Sequence, residues 1–143
     1  MKIIPIHNTQ QIKQLLISAN LPTDDIDKHT PAHFFAVKHR SEAVALIGIE
    51  YYGEDALLRS LMVKPDYRNQ GLASQLIQAI AQEAVQQGVQ HLYLLTTTAG
   101  HFFSHKGFVT IRRDDTPPTI KATREFSHIC PASATIMYRD LNV

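Results

Sequence analysis

Short apolar and β-branched runs alternate along this chain with stretches whose apolar residues recur every three or four positions. Strands and amphipathic helices are therefore predicted in turn. Lys2 to Ile6 reads as a first strand. Ile12, Leu15, Leu16 and Ala19 share one face of a helix predicted over Thr9 to Asn20, with Thr9 as its cap. Pro22 to Pro31 is a polar stretch bounded by prolines, read as a short helix or loop that forms one wall of a substrate site. His33 to His39 and Glu42 to Tyr52 predict a hairpin turning near Arg40-Ser41. An apolar strand, Leu57 to Val63, then runs through Pro65 into a long helix with Leu72, Leu76, Ile80 and Ala84 on one stripe. Gly88 stops that helix. His91 to Thr98 reads as a buried strand, followed by a short helix before Gly107-Phe108 and a strand at Phe108 to Arg112. Asp114 to Pro118 is turn-like, Ile120 to His128 suggests a helical turn, and Thr135 to Leu141 a last strand. Three antiparallel strands followed by strand, helix and strand predict an α+β domain with one parallel connection.

The junction at Tyr67-Arg-Asn-Gln-Gly-Leu-Ala73 carries the first candidate chemistry. A helix entered directly from a strand leaves its first backbone N–H groups without internal partners, and they add to the positive end of the helix dipole. Such a terminus suits a phosphate. Gly71 admits close approach of the ligand, Ala73 keeps the next turn small, and Arg68 supplies a cation at the mouth.

Arg68-Asn-Gln-Gly-Leu-Ala73 resembles the Gln/Arg-x-x-Gly-x-Gly/Ala pyrophosphate loop of the GNAT superfamily of acyl-CoA-dependent N-acetyltransferases. Ala99-x-x-Phe-Phe-x-x-x-Gly-Phe108 resembles a second segment of the same superfamily, in the expected order and spacing. Leu57-Leu-Arg-Ser60, Leu94 to Ala99, Thr123-Arg-Glu-Phe126 and Cys130 to Ala134 are similar to the arsenic-resistance N-acetyltransferase branch. The resemblance implies a mixed, mostly antiparallel sheet flanked by helices, with a splayed parallel strand pair that admits acetyl-CoA. It implies cofactor contacts at Leu61, Met62, Val63, Arg68, Asn69, Gln70, Gly71, Leu72, Ala73, Ser74, Thr96 and Phe103. On the acceptor side it points to Thr97, Thr123 and Glu125. The implied reaction moves an acetyl group from acetyl-CoA to the amine of a small molecule, an amino acid or a toxic arsenic-containing analogue. A non-catalytic acyl-CoA sensor with the same fold is the alternative.

Composition narrows the partners. The chain has 143 residues, enough for one domain spanning 1–143, with 44% hydrophobic and 19% charged residues. A net charge of +1 offers little footprint for nucleic acid. No apolar stretch approaches the roughly 20 residues that span a membrane. Met1-Lys-Ile-Ile-Pro is too short and too soon broken for a signal peptide, so the cytoplasm is the expected compartment. Cys130, alone in the chain, reads as a small buried filler. His101 and His105 are four apart and share a helical face, but lack a third ligand, so no metal is expected. A monomer or homodimer taking a small-molecule amine is the resulting picture.

Several positions depart from the superfamily pattern. Phe103 stands where many members carry a tyrosine acid, Leu57 where histone-modifying members carry a glutamate base, and Thr96 replaces a frequent asparagine. Glu50 is the candidate base, with an exposed strand-end carboxylate as the competing reading. Arg59 interrupts an apolar strand. Burying a guanidinium requires a carboxylate or an anionic ligand, so a structural ion pair and an acceptor anchor both remain open. Simple alternation would place Leu57, Arg59, Leu61 and Val63 on one face of the strand.

Overall fold

The computed structural model describes residues 2–27, 29–129 and 133–142. Strand β1 is Lys2–Ile6, helix α1 Thr9–Ser18, β2 His33–His39, β3 Glu42–Tyr52 and β4 Asp55–Val63. Helix α2 spans Leu72–Gln86, β5 His91–Thr96, α3 Gly100–Ser104, β6 Val109–Ile111, α4 Pro118–Lys121 and β7 Thr135–Asp140. A π-helical turn at Glu125–Ile129 follows α4. The single helical turn expected over Ile120 to His128 is thus two pieces, broken after Lys121. Cys130 and its two following neighbours lie outside the described residues.

Local chemistry explains the boundaries. The α1 cap is Asn8 rather than Thr9: the Asn8 side chain accepts from the Gln11 N–H at 3.0 Å. Arg40 and Ser41 both have positive φ, 53° and 69°, the geometry that a tight two-residue hairpin turn requires to match strand twist. Gly88, at φ 86°, ends α2 in the left-handed conformation.

The strands form one sheet in the order β1-β2-β3-β4-β5-β7-β6. All neighbours are antiparallel except β4 and β5, which pair in parallel only from Asp55↔His91 to Leu57↔Tyr93. Beyond Leu57, β4 stays with β3, and beyond Tyr93, β5 stays with β7. The two halves of the sheet part there, and their facing backbone edges are left open.

A bulge in β4 sharpens the parting. Leu46 pairs with Met62 but Gly48 with Arg59, so Ser60 and Leu61 together oppose Ile47, and Ser60 takes φ 60°. The extra residue reverses the alternation, which corrects the face assignment made from sequence. Leu58, Leu61 and Val63 belong with the core under α2, whereas Met62 belongs with the core under α1. Leu57 packs with Ile120 and Phe126 on that second face. Arg59 therefore does not share a face with Leu61 and Val63.

Helix α2 covers one side of the sheet, burying Leu76, Ile77 and Ile80 against Ile47, Ile49 and Leu58. On the other side α1 buries Leu15 and Leu16 against Phe34 and Leu46, and α4 buries Ile120 against Leu57 and Ile136. Among the described residues no helix is long and apolar enough to cross a membrane.

The bulge is testable by substitution. A β-branched residue at positive φ is strained by about 1–3 kcal/mol, whereas glycine is not. Ser60→Val should therefore unfold at lower urea than Ser60→Gly, both variants having lost the serine hydroxyl. Equal midpoints would show that Ser60 is not held left-handed.

Candidate active site

At the mouth of the parted strands, the chain leaves β4 through a 3₁₀ turn at Pro65–Tyr67 and enters α2 at Leu72, with Asn69 at φ 63° and Gly71 at φ 81°. The start of α2 has no side-chain cap and no acidic residue in its first turn. Its leading N–H groups face a cleft of about 400 Å³ bordered by Val63, Arg68, Asn69, Gly71, Ala73 and Ser74, with Leu72 also in its wall. Orphan amides at a positive helix end are what an anionic phosphate requires. A Cβ on Gly71 would meet no atom within 4 Å, so glycine is demanded here by backbone conformation and not by crowding within the chain. Arg68 is fastened by Nε donation to the Val63 carbonyl at 2.9 Å. Gln70 instead turns back to the Asp66 carbonyl at 3.4 Å.

A second cavity, of about 420 Å³, lies between the parted strands and shares Phe102 with this cleft. On the α2 side its wall is Leu58, Leu61, Leu94, Phe102 and Phe103, and on the other side Arg59, Glu125 and the segment Asn20 to Pro22. Phe103 is buried and stacks edge-on against Phe108 at 5.8 Å between centroids. Thr96 lines the cavity, and its hydroxyl accepts from the Ala99 N–H at 2.9 Å, ordering the entry to α3. Thr97 lines it as well. The side chains of Met62 and Thr123 do not border it. Met62 is buried under α1, and the Thr123 hydroxyl, also buried, donates to the Ile120 carbonyl and accepts from the Phe126 N–H. No tyrosine borders the cavity among the described residues; the hydroxyls in its wall are those of Ser60 and Thr96 to Thr98.

Behind the polar wall lies a buried ion cluster. The Arg59 guanidinium, 1% exposed, donates from Nη1 and Nη2 to the two oxygens of Asp25, from Nη1 to Glu50 at 2.8 Å, and from Nε to the Ser60 hydroxyl at 3.1 Å. Glu125 Oε2 lies 3.5 Å from Nε. Tyr52 donates its hydroxyl proton to Glu50. Glu50 is therefore no exposed strand end: β3 continues past it, it is 2% exposed, and Arg59 and Tyr52 seal it from the cavity.

The charges follow the packing. Burial works against ionised Asp25, but the hydrogen bonds and charge of Arg59 outweigh it and hold the carboxyl below its ordinary 3.8. Burial likewise opposes the Arg59 cation, yet Asp25, Glu125 and Glu50 keep it firmly protonated. The Tyr52 phenol is pushed up by burial and by the Glu50 carboxylate it serves.

Sequence reasoning missed Asp25. Nothing in Asp24-Asp-Ile-Asp27 distinguishes the residue that turns inward, since all three carboxylates sit in a polar stretch; the buried neighbour Ile26 is the one available hint. His101 and His105 do share a face, with Nε2 atoms 3.1 Å apart, but no group of three or more metal-ligating side chains occurs among the described residues.

Residues 30–110 match the sequence-family model of the Acetyltransferase (GNAT) domain, more than half of the chain. The chain belongs to the GNAT acetyltransferase family. The family's fold is shared in full by an acetyltransferase of Staphylococcus aureus (TM-score 0.77, 20% identity, 98% of both chains covered). It is also shared by the N-acetylglutamate synthase of Neisseria gonorrhoeae complexed with coenzyme A and L-arginine (TM-score 0.81, 21% identity, 99% of this chain and 33% of that one). Among curated relatives, the amino-acid acetyltransferase of Edwardsiella ictaluri is 30% identical over 86 residues, 59% of this chain and 20% of the relative. That of Escherichia coli is 28% identical over 99 residues, 68% of this chain and 21% of the relative. This GNAT chain thus spans about a fifth of the length of those relatives.

The ion cluster makes stability depend on acid. A native carboxyl held below its unfolded value contributes stability above about pH 3.8, and the contribution disappears as pH falls through the lower native value. Asp25→Asn should cost about 2–3 kcal/mol at pH 7, the scale of a hydrogen bond to a charged group. The gap from wild type should narrow below pH 3.8 in urea melts. A gap that stays constant down to pH 2.5 would show that Asp25 is not ionised in the fold.

Proposed function

We propose that the protein is an acetyl-CoA-dependent N-acetyltransferase acting on the amine of a small molecule. The observation that carries this reading is the parting of β4 and β5 beside an uncapped α2 terminus, because it supplies an anion site and an open backbone edge side by side. The diphosphate of the cosubstrate would meet the amides from Gly71 to Ser74, with Arg68 beside them. Its pantetheine amides would bond the backbone edge at Leu61 to Val63, which makes Met62 a backbone contact only. Phe103 would flank the thioester. Bound there, acetyl-CoA supplies an activated acyl group whose thiolate leaves readily, the cysteine reference pKa being about 8.5.

The amine must arrive unprotonated. An α-amine, with a reference pKa of about 7.7 to 8.0, needs modest help. Among the described residues Glu125 is the carboxylate in the cavity wall, so the base role expected for Glu50 passes to Glu125, with Glu50 acting as a partner of Arg59. Two acceptor classes have separate support. Amino acids are favoured by the names of the relatives, and arsenic-containing analogues only by the resemblance of segments between residues 48 and 137. Amines without a carboxylate are favoured by the commitment of the Arg59 fork to Asp25.

Thiol release from acetyl-CoA across a panel of amines and amino acids, arsenic- and phosphorus-containing analogues included, tests the reaction. Release with at least one acceptor is expected; binding of CoA with no release from any would favour the sensor reading. Gly71→Val should weaken CoA binding about 10- to 100-fold in calorimetry, the equivalent of losing one or two amide bonds to charged oxygen. Unchanged affinity would displace the cradle. Glu125→Gln should lower kcat about a hundredfold at neutral pH, the deficit shrinking as rising pH deprotonates the amine unaided. A kcat unaffected by that change at every pH would remove Glu125 from the chemistry.

A further inference from the structure

A guanidinium has two edges suited to a carboxylate, and on Arg59 Asp25 fills the one formed by Nη1 and Nη2 with both oxygens. Nη1 also donates to Glu50, and on the second edge Nε donates to Ser60 with Glu125 Oε2 3.5 Å away. An acceptor carrying an acid group would meet one guanidinium edge filled by Asp25 and the other faced by the Glu125 carboxylate. It would also meet negative charge: Asp25, Glu50 and Glu125 are opposed by Arg59 and by the exposed Arg124, which donates to the Asp24 carbonyl at 3.5 Å. Asp25 comes from the same segment as Asn20, Leu21 and Pro22, which line the cavity. One contact thus shapes the wall and consumes its cation.

We infer that Asp25 is a specificity-determining residue, occupying within the chain the place an acceptor's carboxylate would take and restricting the pocket to amines that bear no acid group beside the reacting nitrogen. The inference rests on the N-acetyltransferase reading above. An acid-bearing acceptor would have to expel Asp25 from a bidentate pair whose guanidinium is 1% exposed, and leave that carboxylate without its cation. A decarboxylated amine of the same shape faces no such exchange. Arg59 keeps Glu50 and Glu125 when Asp25 is removed, so truncation opens the fork without stranding a buried charge.

Matched acceptors that differ by one carboxylate read this directly: L-phenylalanine against 2-phenylethylamine, and L-arginine against agmatine. The wild-type chain should show the higher kcat/KM for the decarboxylated member of each pair. In Asp25→Ala the KM of the amino acids should fall about tenfold, as the freed fork receives their carboxylate, while that of the amines stays or rises. A merely structural role would worsen both members together. Equal factors for both, or a wild-type preference for the amino acids, would overturn the inference. If Asp25→Ala does not fold, Asp25→Ser carries the comparison, its hydroxyl being too short to fill both nitrogens of the fork; it should shift the ratio the same way, and an unchanged ratio would equally overturn the inference. Absence of thiol release with every acceptor would refute the enzymatic reading instead. The same pairs would then be titrated calorimetrically into the CoA-saturated chain, where the same order of Kd is expected and its reverse overturns the role of Asp25.

Discussion

Two parallel strands that stop pairing after three residues determine what the rest of this molecule can do. Between Leu57 and Tyr93 the ladder ends, and from there each strand is held only by its antiparallel neighbour. A sheet interior is ordinarily closed by its own hydrogen bonds; here a path through it stays open, with unsatisfied edges that a ligand can complete. The bulge at Ser60 belongs to the same constraint. By adding one residue to β4 it turns Leu61 and Val63 toward α2 while leaving Arg59 on the opposite face.

The cavity consequently has two chemistries. Its α2 side is apolar, built on Leu58, Leu61 and Phe103, and adjoins through Phe102 the cleft at Gly71. Its other side is polar and backed by the Arg59 cluster. That cluster also organises the fold around it. Asp25 adjoins Ile26 of the core under α1, and Glu125 adjoins Phe126 of the core under α4, so one guanidinium joins two separate apolar clusters to the sheet. Desolvating an arginine is costly, and three carboxylates are the local means by which this chain offsets it.

Substitution of the familiar tyrosine by Phe103 changes what the site must rely on. With a ring that has no ionisable proton and, among the described residues, only hydroxyls of serine and threonine in the wall, positioning and the leaving ability of a thiolate carry most of the proposed reaction. Glu125 then matters because it stands in the wall, where Glu50 stands behind Arg59.

Much was legible without coordinates because it depends on local periodicity. The α2 stripe, the hairpin with its turn at Arg40-Ser41, the Gly88 stop and the turn through Arg68 to Ala73 into α2 all follow from side-chain spacing and backbone preference within a few residues. The GNAT motifs likewise sit in contiguous segments. Three features were not legible, for one physical reason: each depends on which distant residue arrives opposite. The bulge is a count of residues against β3 and leaves no mark in Leu57-Leu-Arg-Ser-Leu-Met-Val63. Glu50 is a strand-end carboxylate until Tyr52 and Arg59 close over it. Among three neighbouring aspartates, only the fold decides that Asp25 turns inward to meet Arg59. Sequence alone showed that a charge at position 59 in an apolar strand needs a partner; the partner comes from 34 positions away and is chosen by tertiary structure.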